Sequence, residues 1–151
     1  MSDYNVYSRH CPARLFFDRL AERWVLLIIG LLRQQPTLRF NEIKREVDGI
    51  SQKVLSQKLK LLERDGLVAR EVYPSMPVRV EYRLTELGRS YADTIEQVSQ
   101  WAQQHVETLL AAQLRFDETQ AAEEQERARP PLRFLSPLNK PANPGNNKNG
   151  E

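Results

Sequence analysis

The chain has 151 residues, with 22 Lys plus Arg against 20 Asp plus Glu and a formal net charge of +2. That length supports one domain with a substantial core, and the near balance of charge excludes a histone-like basic binder or an acidic solvating chain. Any nucleic-acid binding must come from where the charges sit rather than from their sum.

The single cysteine, Cys11, excludes an internal disulfide and a zinc site built on cysteine pairs. Residues 1–14 include Asp3, Arg9, His10, Pro12 and Arg14 and carry no apolar run, so no signal segment is expected. The longest apolar run, Val25 to Leu32, is interrupted only by Gly30. A membrane helix needs about 20 apolar residues, so this run reads as a buried helix and the expected location is cytoplasmic.

Pro12 suits the first turn of a helix carrying Leu15, Phe16 and Leu20. Trp24, Leu27, Ile28, Leu31 and Leu32 recur at helical spacing and predict a second helix, which Pro36 ends. Phe40, Ile43 and Val47 predict a short third helix, followed by the turn pair Asp48-Gly49. Ser51 is a natural cap for a fourth helix with Leu55, Leu59 and Leu62 on one face, and Asp65-Gly66 stops it.

The pattern then changes to period two. Leu67 to Tyr73 reads as one strand, and Val78, Val80, Tyr82 and Leu84, alternating with Arg79, Glu81 and Arg83, read as a second. Pro74-Ser75-Met76-Pro77 joins them. Thr85 caps a last helix with Leu87, Tyr91, Ile95, Val98, Ala102 and Leu109 along one side. Residues 118–129 are Glu, Gln, Ala and Arg, able to extend that helix or to fray. From Pro130 onward the composition is Pro, Asn, Lys and Gly, and disorder is expected. The expected division is a domain over 1–112 and a polar, Pro/Asn-rich tail over 113–151.

Helices, a hairpin and a closing helix, in that order, are the order of a winged helix-turn-helix: mainly α, with a small β-hairpin wing. The outward face of the fourth helix carries Lys53, Gln57, Lys60 and Arg64, with Gln52 and Ser56 near its amino end. Residues 51–64 hold four basic side chains against one acidic one, Glu63, a local surplus that the near-neutral total conceals. Gln and Lys can read base edges, and Ser51 and Ser56 can meet phosphate or base. Arg79 is expected to reach the adjacent minor groove or its phosphates. Such a face on an isolated helix is more often plain solvated surface; the turn and the wing reverse that judgement.

The segments Arg39-Phe40-Asn41-Glu42-Ile43, ISQKVLSQKLKLLERDGLV at 50–68, YPSMPVRVEYRLTELG at 73–88 and Cys11-Pro12 resemble the HxlR-type winged-helix transcription regulators. This bacterial and archaeal family is distantly similar to the MarR regulators, and the resemblance covers about residues 10–108. One departure is Ala21-Glu22-Arg23-Trp24, where the family often has Gly-Gly-Lys-Trp. The resemblance implies a homodimer on a near-palindromic, double-stranded operator. Independently, the apolar residues of the last helix, Trp101 included, exceed what one small domain can cover, and a second copy would bury them. Recognition helices about 34 Å apart are then expected.

Cys11 lies among Arg9, His10 and Arg14 just before a helix start, surroundings that favour a reactive thiolate. The resemblance adds that several family members sense oxidants, quinones or aldehydes through a cysteine at this position. An intersubunit disulfide, a mixed disulfide with a small thiol and a covalent adduct are the possible outcomes, and a merely packed cysteine is the alternative. Space between the first helices and the last could admit a small aromatic effector. His10 with Cys11 gives too few ligands for a metal. No nucleophilic triad, phosphate loop or dinucleotide fingerprint is present, so neither cofactor nor catalysis is expected. Two rivals are a winged-helix module used for protein–protein assembly and a thiol enzyme at Cys11. The polar basic face of residues 52–64 argues against the first, and the lack of an aligned base against the second.

Overall fold

The computed structural model describes residues 4–131 and Gly145. Its elements are α1 (Arg14–Leu20), α2 (Arg23–Gln34), β1 (Leu38–Arg39), α3 (Phe40–Glu46), α4 (Gln52–Arg64), β2 (Val68–Tyr73), β3 (Arg79–Leu84) and α5 (Glu86–Ala128). The chain divides into two compact units, Met1–Val106 and Glu107–Glu151. The winged helix-turn-helix lies in the first.

Its core gathers around α2, which buries Val25, Ile28, Ile29 and Leu32. Ile43 of α3, the Leu55, Leu59 and Leu62 stripe of α4, Ile95 of α5, and Leu38, Val68, Tyr82 and Leu84 of the sheet pack into it. Each such side chain contributes about 1.5–3 kcal/mol by leaving water. The inward face of α2 is therefore one step round from the sequence expectation. Leu27 is exposed, while Trp24 and Leu31 are half-buried against the core.

The sheet has three strands in the order β1-β3-β2, all antiparallel. Sequence periodicity reveals only the hairpin. The added strand is two residues long, too short to show alternation, and it pairs Leu38 with Tyr82 and Arg39 with Glu81. Val78 belongs to the wing turn rather than to β3 and is exposed.

Glu22, in the stretch that departs from the family pattern, makes the bend between α1 and α2. Its extended backbone ends the α1 turn, and its carboxylate accepts the Val25 N–H at 3.3 Å as the N-cap of α2. The same carboxylate pairs with Lys58 of α4 at 3.3 Å, so the bend is tied to α4 by charge.

The start of α5 is locked to the end of α4. The Thr85 hydroxyl donates to the Gly66 carbonyl at 2.6 Å and accepts the Gly88 N–H at 3.0 Å. Gly88 is required by close approach, because a Cβ there would lie 1.9 Å from the Leu67 carbonyl oxygen. Within the first unit α5 buries Gly88, Ala92 and Ile95. Tyr91 donates its hydroxyl to the Leu20 carbonyl, and burial pushes its phenol up from the usual value.

Helix α5 continues through Ala128, so residues 113–128 are helical. Most of the Pro/Asn-rich stretch that follows, for which disorder is expected from composition, lies outside the described residues.

Candidate nucleic-acid interface

Two devices set α4. The Ser51 hydroxyl accepts the Val54 N–H at 3.1 Å, fixing the amino end. At the other end Gly66 adopts φ +75°, a conformation that favours glycine, and the chain turns into β2. With Leu55, Leu59 and Leu62 buried, helical geometry turns Gln52, Lys53, Ser56, Gln57, Lys60 and Arg64 to solvent, and all six are exposed. Among the described residues Lys53, Lys60 and Arg64 have no ion-pair partner. Lys58 differs: it is half-buried and held by Glu22. Ser51 is the cap, so its acceptor capacity is already used in part by the helix.

Helix α3 precedes this unit as its support. The Glu42 carboxylate accepts the Arg39 N–H at 2.7 Å, half of a capping box, and Ile43 anchors the helix in the core. The Asp48-Gly49 turn leads on to Ser51.

The wing is a charged ladder. Arg83 donates Nε–H to Glu71 Oε1 at 2.7 Å, and the Tyr73 hydroxyl donates to Glu71 Oε2 at 2.8 Å. These hydrogen bonds, that from Arg83 first, hold the Glu71 carboxyl below its usual range. The bond to Glu71 also raises the Tyr73 phenol. Arg79 is the first residue of β3 and sits at the root of the wing turn, not at its tip. Its guanidinium lies 4.3 Å over the Tyr73 ring. Its Nε is 3.1 Å from Glu81 Oε1, yet the N–H is not aimed at that oxygen, so the contact is an ion pair without a formed hydrogen bond. Met76, 99% exposed, occupies the turn.

Arg70 was not singled out from the sequence. It is exposed on β2 and lines a groove with Ser56, Lys60 and Glu63 of α4. The available signal was its place in the alternation of the first strand, where it faces the same way as Val68 and Val72; only the docking of β2 beside α4 brings it to Lys60.

Cys11 is buried, 7% exposed, in the turn before α1, while Arg9, His10 and Arg14 around it in sequence are exposed. Its N–H donates to the Ser8 carbonyl, and its own carbonyl accepts the Arg14 N–H. A largely apolar groove of about 400 Å³ runs between α1 and α5, lined by Phe16, Leu20, Leu67, Leu87 and Tyr91. Among the described residues no group of three or more His, Cys, Asp or Glu is placed to hold a metal. No helix there is long and apolar enough to cross a membrane.

A three-helix unit with a capped, polar-faced recognition helix and a β-wing defines a winged helix-turn-helix protein. Comparison with known proteins agrees. The HxlR-like helix-turn-helix profile matches residues 19–119, and the chain belongs to that family of transcriptional regulators. It is 34% identical over 111 residues to YtfH of Escherichia coli K12, described as an uncharacterized HTH-type transcriptional regulator, covering 74% of this chain and 87% of YtfH. The solved YtfH of Salmonella typhimurium, a proposed transcriptional regulator, superposes with a TM-score of 0.67 at 35% identity, covering 74% of this chain and 98% of that one. The reduced form of the transcriptional regulator YodB from Bacillus subtilis superposes with a TM-score of 0.55 at 40% identity, covering 62% and 92%. The redox regulator HypR in its oxidized form gives 0.58 at 35% identity, covering 62% and 96%. The chain is therefore an HTH-type transcriptional regulator and not an enzyme.

Proposed function

We propose that this regulator is a homodimeric repressor whose α4 reads a near-palindromic operator, with Cys11 as a thiol switch. The observation that carries the DNA reading is the outward face of α4, exposed and basic over a buried leucine stripe. Lys53, Lys60 and Arg64 neutralise phosphates, and Gln52, Lys53, Ser56 and Gln57 meet base edges. Ser51 orients the amino end of α4, while Arg79 stiffens the wing and lies beside the backbone it meets.

The dimer is supported by apolar surface that one copy leaves in water. Helix α1 buries none of its residues, and Leu15 is 73% exposed. On α5, Leu87, Val98 and Trp101 are exposed as well. In the second unit, Leu109, Leu110, Leu114 and Phe116 are likewise uncovered.

The redox reading is supported by two solved relatives, the redox regulator HypR and YodB, the latter solved after diamide treatment. Oxidation joins two Cys11 thiols of a dimer, the two hydrogens reducing diamide to its hydrazine, or forms a mixed disulfide with a small thiol. Because Cys11 is buried, either route requires the α1 turn to open first. The groove between α1 and α5 favours a second reading, control by a small noncovalent aromatic effector.

The test is DNA binding across the chain's own upstream region, with reduced protein and after diamide or a quinone. Loss of binding after diamide, restored by a reductant and absent in Cys11→Ser, is the expected result. Release of DNA by the Cys11→Ser protein under the same treatment would remove the thiol switch. Binding indifferent to both oxidants would leave the groove as the regulatory site.

A further inference from the structure

The cleft between α4 and the hairpin, about 340 Å³, carries polar groups on both walls. One wall is the flank of α4 with Ser56, Lys60 and Glu63, and the other is the sheet, with Arg70 and Tyr82. Arg70 and Tyr82 stand opposite each other in the β2–β3 ladder, so both leave the same face of the sheet. Of the three hairpin arginines, Arg83 pairs with Glu71 and Arg79 with Glu81. Among the described residues Arg70 has no carboxylate within ion-pair distance, and neither Lys60 nor Glu63 is paired.

Tyr82 is only 9% exposed, with its ring in the core. The hydroxyls of Tyr73 and Tyr91 donate to protein oxygens. That of Tyr82 has no partner among the described residues, yet it is not sealed from solvent. A buried tyrosine ordinarily gives its hydroxyl a partner, and here the donor is left to whatever occupies the cleft. When a recognition helix enters the major groove and a wing meets the adjacent minor groove, the sugar–phosphate strand that separates the two grooves must pass between helix and wing.

We propose that this cleft seats that sugar–phosphate strand, with Lys60 and Arg70 closing on its phosphates from opposite walls and the Tyr82 hydroxyl donating to a phosphate oxygen. The assignment rests on α4 being the helix that lies in the major groove. Two unpaired cations and a neutral donor match an anionic strand, and the guanidinium fork suits phosphate in particular. Glu63, three residues beyond Lys60 on the same flank, repels phosphate and marks the carboxy-terminal limit of the seat. Arg70 thereby sets how the hairpin stands against the duplex. It does so for any sequence, because phosphates carry no base information.

Fluorescence anisotropy of the full chain with its own upstream duplex and with an unrelated duplex, over a series of salt concentrations, tests the seat. Arg70→Gln should flatten the slope of log affinity against log salt by about 0.9 per protomer, or about 1.8 for a dimer. Over a fourfold rise in salt, wild type then loses about twelvefold more affinity than the variant, on both duplexes. Tyr82→Phe should weaken both about tenfold with the slope unchanged, since the lost donor is neutral. Being nearly isosteric, it decides the matter if Arg70→Gln does not fold. Glu63→Gln should tighten both severalfold. An unchanged slope in Arg70→Gln, where Lys60→Ala flattens it, would overturn the seat and leave the DNA reading of α4 intact. Unchanged slopes in both, or no binding of either duplex by wild type, would remove that reading as well. Unchanged affinity in Tyr82→Phe or in Glu63→Gln would overturn the seat alone.

Discussion

Two lysines on α4, two positions apart in sequence, should behave in opposite ways when removed. Lys60 is exposed on the outward face and has no carboxylate within ion-pair distance among the described residues. Lys58 is turned toward α2, with its side chain 26% exposed and its ammonium 3.3 Å from Glu22. If Lys60 neutralises one operator phosphate, Lys60→Ala removes one counterion-release contact per protomer. Each contact contributes about 0.9 to the slope of log affinity against log salt, so a dimer loses about 1.8. Over a fourfold rise in salt, wild type should then lose about twelvefold more affinity than the variant. The loss should be the same on operator and on unrelated DNA.

Lys58→Ala should keep the salt slope. It should instead lower stability by about 1 kcal/mol or less, the scale of a partly exposed ion pair. Fluorescence anisotropy at a series of salt concentrations measures the slope, and thermal melting measures the stability. A slope unchanged by Lys60→Ala, or flattened equally by Lys58→Ala, would refute the assignment of the outward face of α4 to DNA.

Gly88→Ala gains about 1 kcal/mol of helix propensity but places a Cβ 1.9 Å from the Leu67 carbonyl oxygen, a backbone atom with little room to move. Overpacking of this kind costs about 1–3 kcal/mol, so the melting temperature should fall, and a rise would show that the α4–α5 junction yields. Leu55→Ala, at a fully buried position, should cost about 2–5 kcal/mol in denaturant unfolding. The Glu71 carboxyl is held below its ordinary value of 4.5, so its contribution is complete above that pH and is lost as pH falls through the lowered folded value. Glu71→Gln should therefore melt below wild type at neutral pH and converge with it on acidification, and a constant gap across that window would contradict the linkage. Trp101→Glu, at a site 54% exposed in the single chain, should leave folding intact and shift the mass by light scattering from dimer to monomer.

Local signals with local causes were legible in the sequence. Ser51, Asp65-Gly66 and Thr85 mark element ends because capping and turn chemistry act over a few residues. The leucine spacing of α4 reports its buried side, and that alone turns the Lys and Gln face to solvent. The winged-helix order, the family and the outward placement of Gln52 to Arg64 followed from these features. The tertiary structure decided what depends on contacts between distant segments. It chose Val25 and Ile29 over Leu27 as the inward face of α2, because several faces of that apolar run were eligible and only the neighbours select one. It paired Lys58 with Glu22, set Arg70 beside Lys60, and carried Arg79 back over Tyr73. It also buried Cys11 despite its polar surroundings in sequence. Sequence patterning records how strongly each residue prefers to leave water; which partner it finds there depends on how the elements dock, and docking is the sum of many weak contacts spread along the chain.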